Sequence, residues 1–271
     1  MSLEKDIDNA AEIISKAKRL VAFTGSGVSA ESGIATFRDP GGLWDRFDPD
    51  EVGTGGGLLS FVMQKPSVAK EFLLEVADSF DKAAPNPGHL ALADLEKMGI
   101  LHTVITQNID DLHWQAGNTR VIEVHGNLMR FRCLACYSKK KFKKEEVVSL
   151  GRNVAAALGK GELQGLLPIL PKCPCGSPMR PDVVMFGEAV QDLQQAMDEA
   201  SKCDVLLILG TSGVVYPAAT VPIVARRAQA RIIDINPGES AFSTIIDVQI
   251  RGNSGKSLPR VLESVKGKLS C

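Results

Sequence analysis

The run Leu20-Val21-Ala22-Phe23-Thr24 is apolar almost throughout and stops at Gly25-Ser26-Gly27. Successive strand residues face opposite sides, so such a run needs apolar cover on both faces. The interior of a parallel sheet, with helices on each side, supplies that cover. Similar runs occur at Thr103-Val104-Ile105-Thr106, Val121-Ile122-Glu123-Val124, Val183-Val184-Met185-Phe186, Val205 to Gly210, Arg231 to Asn236, and near 247–250. Helical segments lie between them. One opens at Asn86-Pro87, with Asn as N-cap and Pro at the first helical position, and Gly99 closes it. Others read over 67–82 and about 190–201, and a helix start reads after Ser29. Strands alternating with helices indicate a doubly wound parallel sheet.

Two stretches interrupt the rhythm. Residues 40–66 carry the breakers Pro40-Gly41-Gly42, Asp48-Pro49-Asp50 and Gly53-Thr54-Gly55-Gly56-Gly57, which read as a flexible loop with a small helical insert. Residues 127–180 hold a basic run from Lys139 to Lys144, a helical piece near 145–165, and four clustered cysteines. The lysines read as a solvated face.

The net charge of −1 gives no argument for nucleic acid or an anionic membrane as partner. Leu3, Ile7, Ala11 and Ile14 form the apolar stripe of an N-terminal helix. Its acids Glu4, Asp6, Asp8 and Glu12 argue against a signal peptide. No apolar run approaches the ~20 residues that span a bilayer. These features point to a soluble, cytoplasmic chain.

Cys133 and Cys136 form one pair and Cys173 and Cys175 another, while Cys203 and Cys271 stand alone. In a chain without an export signal, paired spacing favours metal over disulfide. Four thiolates suit a tetrahedral, structural Zn²⁺ that would hold the 127–180 insert together. The alternative is four free thiols. The second half is C-x-C, one residue shorter than the commoner C-x-x-C.

Gly25-Ser26-Gly27-Val28-Ser29-Ala30 fits the dinucleotide fingerprint G-x-G-x-x-[G/A], whose glycines let the backbone approach a pyrophosphate. A tight turn with no ligand would show the same residues. The usual fingerprint also has an acid ~20 residues on, at the end of the next strand. Here that stretch is Asp45 to Glu51, which does not read as a strand. A dinucleotide would then lie differently from that in a dehydrogenase.

Thr106-Gln107-Asn108-Ile109-Asp110-Asp111-Leu112-His113, followed by Val124-His125-Gly126, sets a carboxamide, a carboxylate and an imidazole close together in sequence. Imidazole titrates near neutrality and can accept a sugar hydroxyl proton. His125, after a strand and before a glycine, is the candidate base. His113 and His89 read as helix residues and His102 as the start of a strand, all structural.

The longer text is more specific. Gly25 to Arg38, Thr106 to Gly117, His125-Gly126, Phe186-Gly187-Glu188 and Gly210-Thr211-Ser212 occur in this order and resemble the sirtuins, the NAD-dependent protein deacylases. The resemblance runs from about Leu20 to Pro259. It implies a Rossmann-like doubly wound sheet with a smaller inserted domain, a zinc ribbon plus a helical insert. The larger domain would comprise 1–40, 83–128 and 178–271, and the smaller 41–82 and 129–177.

The resemblance also implies roles for the matching residues. Gly25, Ser26, Gly27 and Arg38 would hold the pyrophosphate. Phe37 would cover the nicotinamide side, and Glu31, Thr36 and Ile109 would line the same site. Asn108 and Asp110 would grip the carboxamide, with Gln107 on the ribose and His125 as general base. Gly210, Thr211 and Ser212 would lie under the phosphate and adenosine ribose, Asn236 would meet that ribose, and Ser254 the adenine. An acylated lysine peptide would bind by strand addition between Val184, Phe186, Gly187, Glu188 and Val214, Tyr216. Val184 and Phe37 would line the lysine tunnel.

Three departures matter. Ser26 replaces the usual alanine and Ala35 the usual proline. Leu73 and Val76 stand where sirtuins specialised for acidic acyl groups carry a Tyr and an Arg, which predicts an apolar acyl pocket. The implied products are free lysine, nicotinamide and O-acyl-ADP-ribose, with NAD consumed. A mono-ADP-ribosyltransferase at the same site and a noncatalytic NAD-sensing module are the alternatives, with a dehydrogenase more distant.

Overall fold

The protein is described here from a computed structural model, covering residues 3–34, 47–48, 52–159 and 166–270. The helices described are α1 (Leu3–Ser15), α2 (Gly55–Gln64), α3 (Pro66–Lys82), α4 (Pro87–Lys97), α5 (Leu112–Ala116), α6 (Lys144–Gly159), α7 (Leu166–Ile169), α8 (Leu193–Lys202), α9 (Val221–Arg227) and α10 (Ser254–Leu269). The strands are β1 (Leu20–Thr24), β2 (Leu101–Thr106), β3 (Val121–Glu123), β4 (Gly126–Cys133), β5 (Lys139–Lys141), β6 (Met179–Val183), β7 (Val205–Leu209), β8 (Arg231–Ile235) and β9 (Val248–Ile250).

Six strands form a parallel sheet in the order β3-β2-β1-β7-β8-β9. The apolar runs are buried on both faces, as their composition requires. From β1, Leu20 and Ala22 face one core with α1, α4 and α10, while Val21 and Phe23 face the other with α8 and α9. Fully burying a side chain such as Phe23 is worth roughly 1.5–3 kcal/mol. Strand order reverses between β1 and β7, so a crevice opens outside their carboxyl ends, where open α/β sheets bind ligands.

The second sheet is antiparallel, β5-β4-β6; Cys133 ends β4, and Cys136, Cys173 and Cys175 lie in the turns before β5 and β6. Beside it α6 packs against α3. Phe47, Phe61 and Phe72 form an edge-on aromatic cluster under α2 and α3. Among the described residues no helix is long and apolar enough to cross a membrane.

Four details differ from the sequence expectation. First, Leu3 is exposed, and the buried stripe of α1 is Ile7, Ala10, Ala11 and Ile14. Second, the helix expected after Ser29 is replaced by short 3₁₀ turns at Ser26–Val28 and Ala30–Ser32. A side chain explains this: Asn86 Nδ2 donates to Val28 O at 2.8 Å, taking a carbonyl that an α-helix would use. Third, Gly55-Gly56-Gly57 begins α2, because Thr54 caps it by accepting from Gly57 N at 2.9 Å.

Fourth, the strand expected at Val183–Phe186 ends at Val183, starts at Met179 and pairs antiparallel with β4 rather than joining the parallel sheet. The next amides are diverted: Val184 N–H goes to His125 O at 2.9 Å and Phe186 N–H to Gly53 O at 2.7 Å.

Candidate active site

The crevice is floored by two turns in backbone contact. Gly25 N–H donates to Leu209 O at 3.0 Å and Gly27 N–H to Gly210 O at 2.9 Å. A Cβ on Gly27 would lie 2.8 Å from Gly210 Cα, and one on Gly210, whose φ is +57°, would lie 2.4 Å from Val28 N. Only glycine fits at these two positions. Thr211 joins the next strands: Gln107 Nε2 donates to its Oγ1 at 3.0 Å and Asn236 Nδ2 to its carbonyl at 3.0 Å. Glu31 accepts from Gly255 N at 2.7 Å, tying the first turn to the start of α10 beside buried Ser254. Ser26 is half-buried and Ser212 exposed.

Asn108 and Asp110, both buried, converge on Ser29. Asn108 Nδ2 donates to Gly25 O at 3.1 Å and to Ser29 Oγ at 3.0 Å, while the Ser29 hydroxyl donates to Asp110 Oδ2 at 2.6 Å. Burial pushes the Asp110 carboxyl up from its usual range; the bonds from Ser29 and from Leu112 N–H oppose that shift. His89 completes the group. Its Nδ1 accepts from Asn86 N–H at 3.3 Å, so Nε2 carries the proton and faces Ser29 Oγ at 3.4 Å. Burial lowers the His89 pKa to about 4. Sequence reasoning missed Ser29, Asn86 and His89 as supports of this pair. The signal was the N-cap text Asn86-Pro87-Gly88-His89, where the imidazole closes a capping box.

His125 is half-buried between β3 and β4. Its Nδ1 lies 3.0 Å from Gln107 O. A carbonyl only accepts, so Nδ1 carries the hydrogen and Nε2 keeps its lone pair. Burial pushes the His125 pKa down, and the bond to Gln107 opposes it in part. The ring is thus neutral near pH 7, the form a base requires. His113 is fully buried, with Nε2 at 3.0 Å from Thr24 Oγ1, and His102 lies 3.5 Å from Glu199. His113 lies inside the core and His102 is partly exposed.

The segment 184–188 continues from His125. Val184 is half-buried; Phe186, Gly187 and Glu188 are exposed, and Arg180 pairs with Glu188 at 2.6 Å. Val214 and Tyr216 are exposed across from them in sequence, on the loop after β7. Ile109 is half-buried, and its carbonyl accepts from Leu128 N at 2.9 Å. Leu73 and Val76 lie on α3, with Leu73 packed on the aromatic cluster. Thr36, Phe37 and Arg38, with Ala35, Gly41 to Asp45 and Cys271, lie outside the described residues.

The thiols of Cys133, Cys136, Cys173 and Cys175 all lie within 4.8 Å of one another. Cys133 and Cys175 are 3.5 Å apart and Cys136 and Cys173 3.6 Å. The N–H groups of Ala135 and Cys136 point at Cys133 Sγ, at 3.4 and 3.5 Å, as in a knuckle around a metal. Four sulfurs at this spacing fit Zn²⁺ with Zn–S bonds of about 2.3 Å and no open position. The shorter C-x-C half reaches the cluster because Gly176, at φ +89°, turns the chain there.

A sequence model of the Sir2 family matches residues 25–217. The chain is 49% identical over 267 residues to the NAD-dependent protein deacylase of Desulfosudis oleivorans, covering 98% of each. It is 41% identical to the NAD-dependent protein deacylase of Pyrococcus abyssi, covering 94% of this chain and 96% of that one. Among solved structures it resembles a Sir2 homologue in complex with NAD, with 37% identity, TM-score 0.79 and coverage of 97% and 94%. It also resembles a Sir2 protein bound to a myristoylated histone peptide, with 38% identity, TM-score 0.73 and coverage of 98% and 99%. The chain belongs to the Sir2 family.

Proposed function

We propose that this protein is an NAD-dependent protein-lysine deacylase, with His125 as its general base. The observation that carries this is the imidazole held by Gln107 O with Nε2 left available, after the end of β3, which pairs in parallel with β2, the strand that leads into Asn108 and Asp110. Bound NAD supplies a ribose carbon that is activated by nicotinamide as leaving group. The Gly25–Gly27 and Gly210–Ser212 turns suit a pyrophosphate because Gly25, Gly27 and Gly210 carry no side chain where the two turns meet, leaving backbone and the small Thr211 there.

Asn108 and Asp110 orient the carboxamide. The acyl oxygen of the substrate bonds to the activated ribose carbon as nicotinamide leaves, and His125 Nε2 then takes one proton from a neighbouring ribose hydroxyl. The freed sugar oxygen attacks the acyl carbon, the lysine amine departs with a proton, and one water completes O-acyl-ADP-ribose. The acyl group has then moved from lysine to ADP-ribose. In that sense the enzyme is a transferase.

The acylated peptide adds as a strand between 184–188 and 214–216, whose exposed side chains are largely apolar. Leu73 and Val76 make the acyl pocket apolar, which favours acetyl and longer aliphatic groups. A reduced cysteine quartet suits a cytoplasmic location. To test the reading, the protein is incubated with NAD and a panel of acyl-lysine peptides, and the products are weighed. O-acyl-ADP-ribose and free lysine are expected. A peptide heavier by one ADP-ribose, or NAD binding without nicotinamide release, would sink it.

A further inference from the structure

Val124 and His125 are the two residues that join β3 of the large sheet to β4 of the small one. The imidazole is carried by a junction, so its aim depends on how the two sheets are set against each other. Backbone bonds reach the junction from both sides. Val124 N–H donates to Thr106 O at 3.1 Å, and the His125 carbonyl accepts from Val184 N–H at 2.9 Å.

Side chains then lock the sheets together. Arg130, on β4, donates through Nη1 to Glu123 Oε2 and through Nε to Asp182 Oδ2, each at 2.7 Å. Glu123 ends β3 and is 7% exposed; Asp182 lies on β6 and is 0% exposed. The other partners of Glu123 are neutral, Trp114 Nε1 at 2.9 Å and the Asn127 amide. Asp182 also meets Lys139 at 2.9 Å and Gln191 Nε2 at 2.9 Å, with Arg132 3.8 Å away. Burial would raise the Asp182 pKa; Arg130, Lys139 and Gln191 outweigh it and hold the carboxyl low. Arg130 is thus the shared cation of two buried carboxylates, and a planar fork suits that geometry. Gly126 lets β4 close on β6 next to the junction: a Cβ there would lie 1.9 Å from Asp182 O.

We propose that Arg130 is a positioning residue for His125, tying Glu123 to Asp182 so that the β3–β4 junction keeps the imidazole on Gln107 O. The inference rests on the reading of His125 as base. It has a particular signature, because the base acts only after nicotinamide has left. Arg130 should govern acyl transfer and leave the earlier exchange of nicotinamide alone.

The full chain is assayed with NAD and an acetyl-lysine peptide for two rates, deacylation and incorporation of labelled nicotinamide into NAD. Arg130→Met should lower the deacylation kcat by a factor on the order of 10–10², as a misplaced group does, with exchange and the KM for NAD nearly unchanged. Arg130→Lys, which keeps one charge, should recover part of the loss. His125→Ala is the reference and should lose deacylation but keep exchange. If His125→Ala deacylates normally, the proposal falls with the base assignment, and that assignment is the fault. If His125→Ala behaves as expected, an unchanged ratio of rates in Arg130→Met overturns the proposal alone. An equal fall in both rates does so too, since it marks general loss of structure. Should Arg130→Met fail to fold, Glu123→Gln carries the test. It should show the same selective fall, smaller in size, and an unchanged ratio there is equally fatal.

Discussion

His125 Nδ1 lies 3.0 Å from the backbone oxygen of Gln107, the residue that also sends its side chain to Thr211. One short segment after β2 therefore fixes the imidazole tautomer and braces the turn after β7. His125→Ala should lose deacylation by a factor on the order of 10²–10⁴, the usual worth of a general base. NAD affinity, measured by calorimetry, should survive because the Gly25–Gly27 turn and Asn108 are untouched. Full turnover by the variant would remove the mechanism.

Protonation should unfold the protein from inside its site. The His89 pKa is lowered from 6.5 to about 4 in the folded state, with burial as the cause. Between those values the unfolded chain binds the extra proton, so stability falls as pH drops through that window. The loss from this one group approaches about 3 kcal/mol by linkage. His113 is lowered in the same direction and by the same cause, with the charge of His89 adding to it. Melting temperature followed from pH 7 downward should show the decline, and His89→Gln should flatten it. An identical slope in that variant would contradict the assignment.

Removal of zinc should loosen the β5-β4-β6 sheet before the parallel one. Metal affinity in a four-thiolate site is folding free energy, and Cys133 and Cys173 sit inside the local core with Met129, Phe131 and Met179. Elemental analysis should give about one zinc per chain. Chelation or Cys133→Ser should lower both melting temperature and activity. A zinc-free preparation that remains folded and fully active would count against a structural metal.

Acyl preference should follow the apolar side chains of α3. Leu73 and Val76 offer neither hydroxyl nor guanidinium, so a succinyl carboxylate would be buried without a partner. Acetyl and longer aliphatic chains carry no such charge, and longer ones bury more apolar area. Competition between acetyl, myristoyl and succinyl peptides, read by mass, should leave the succinyl peptide largely intact. Succinyl cleavage at the acetyl rate would show that Leu73 and Val76 do not line the pocket.

The large sheet was legible because its strands must be apolar on both faces, and Leu20–Thr24 and Val205–Leu209 admit little else. The α4 cap was legible because Asn86-Pro87 states it locally. β6 was not. Val183 to Phe186 reads as another buried parallel strand, and its antiparallel pairing with β4 depends on a glycine fifty-odd residues upstream, Gly126, passing close to Asp182. The 3₁₀ turns after Gly25 were missed for a similar reason: Asn86, distant in sequence, takes the Val28 carbonyl. In the site, Asn108, Asp110 and His125 stood out by residue type. Ser29 and Arg130 did not, since a hydroxyl and a guanidinium declare a role only once their partners are in place.

The touching turns at Gly27 and Gly210 lie where the two halves of the sheet diverge. In the proposed NAD site the same atoms would serve as ligand floor and as keystone of the architecture. A substitution there cannot report on affinity alone: the bulk that would displace a phosphate also pries β1 from β7. Weak-binding but well-folded variants of this enzyme are better sought at Asn236 or Gln107, whose side chains can be shortened without separating backbone from backbone.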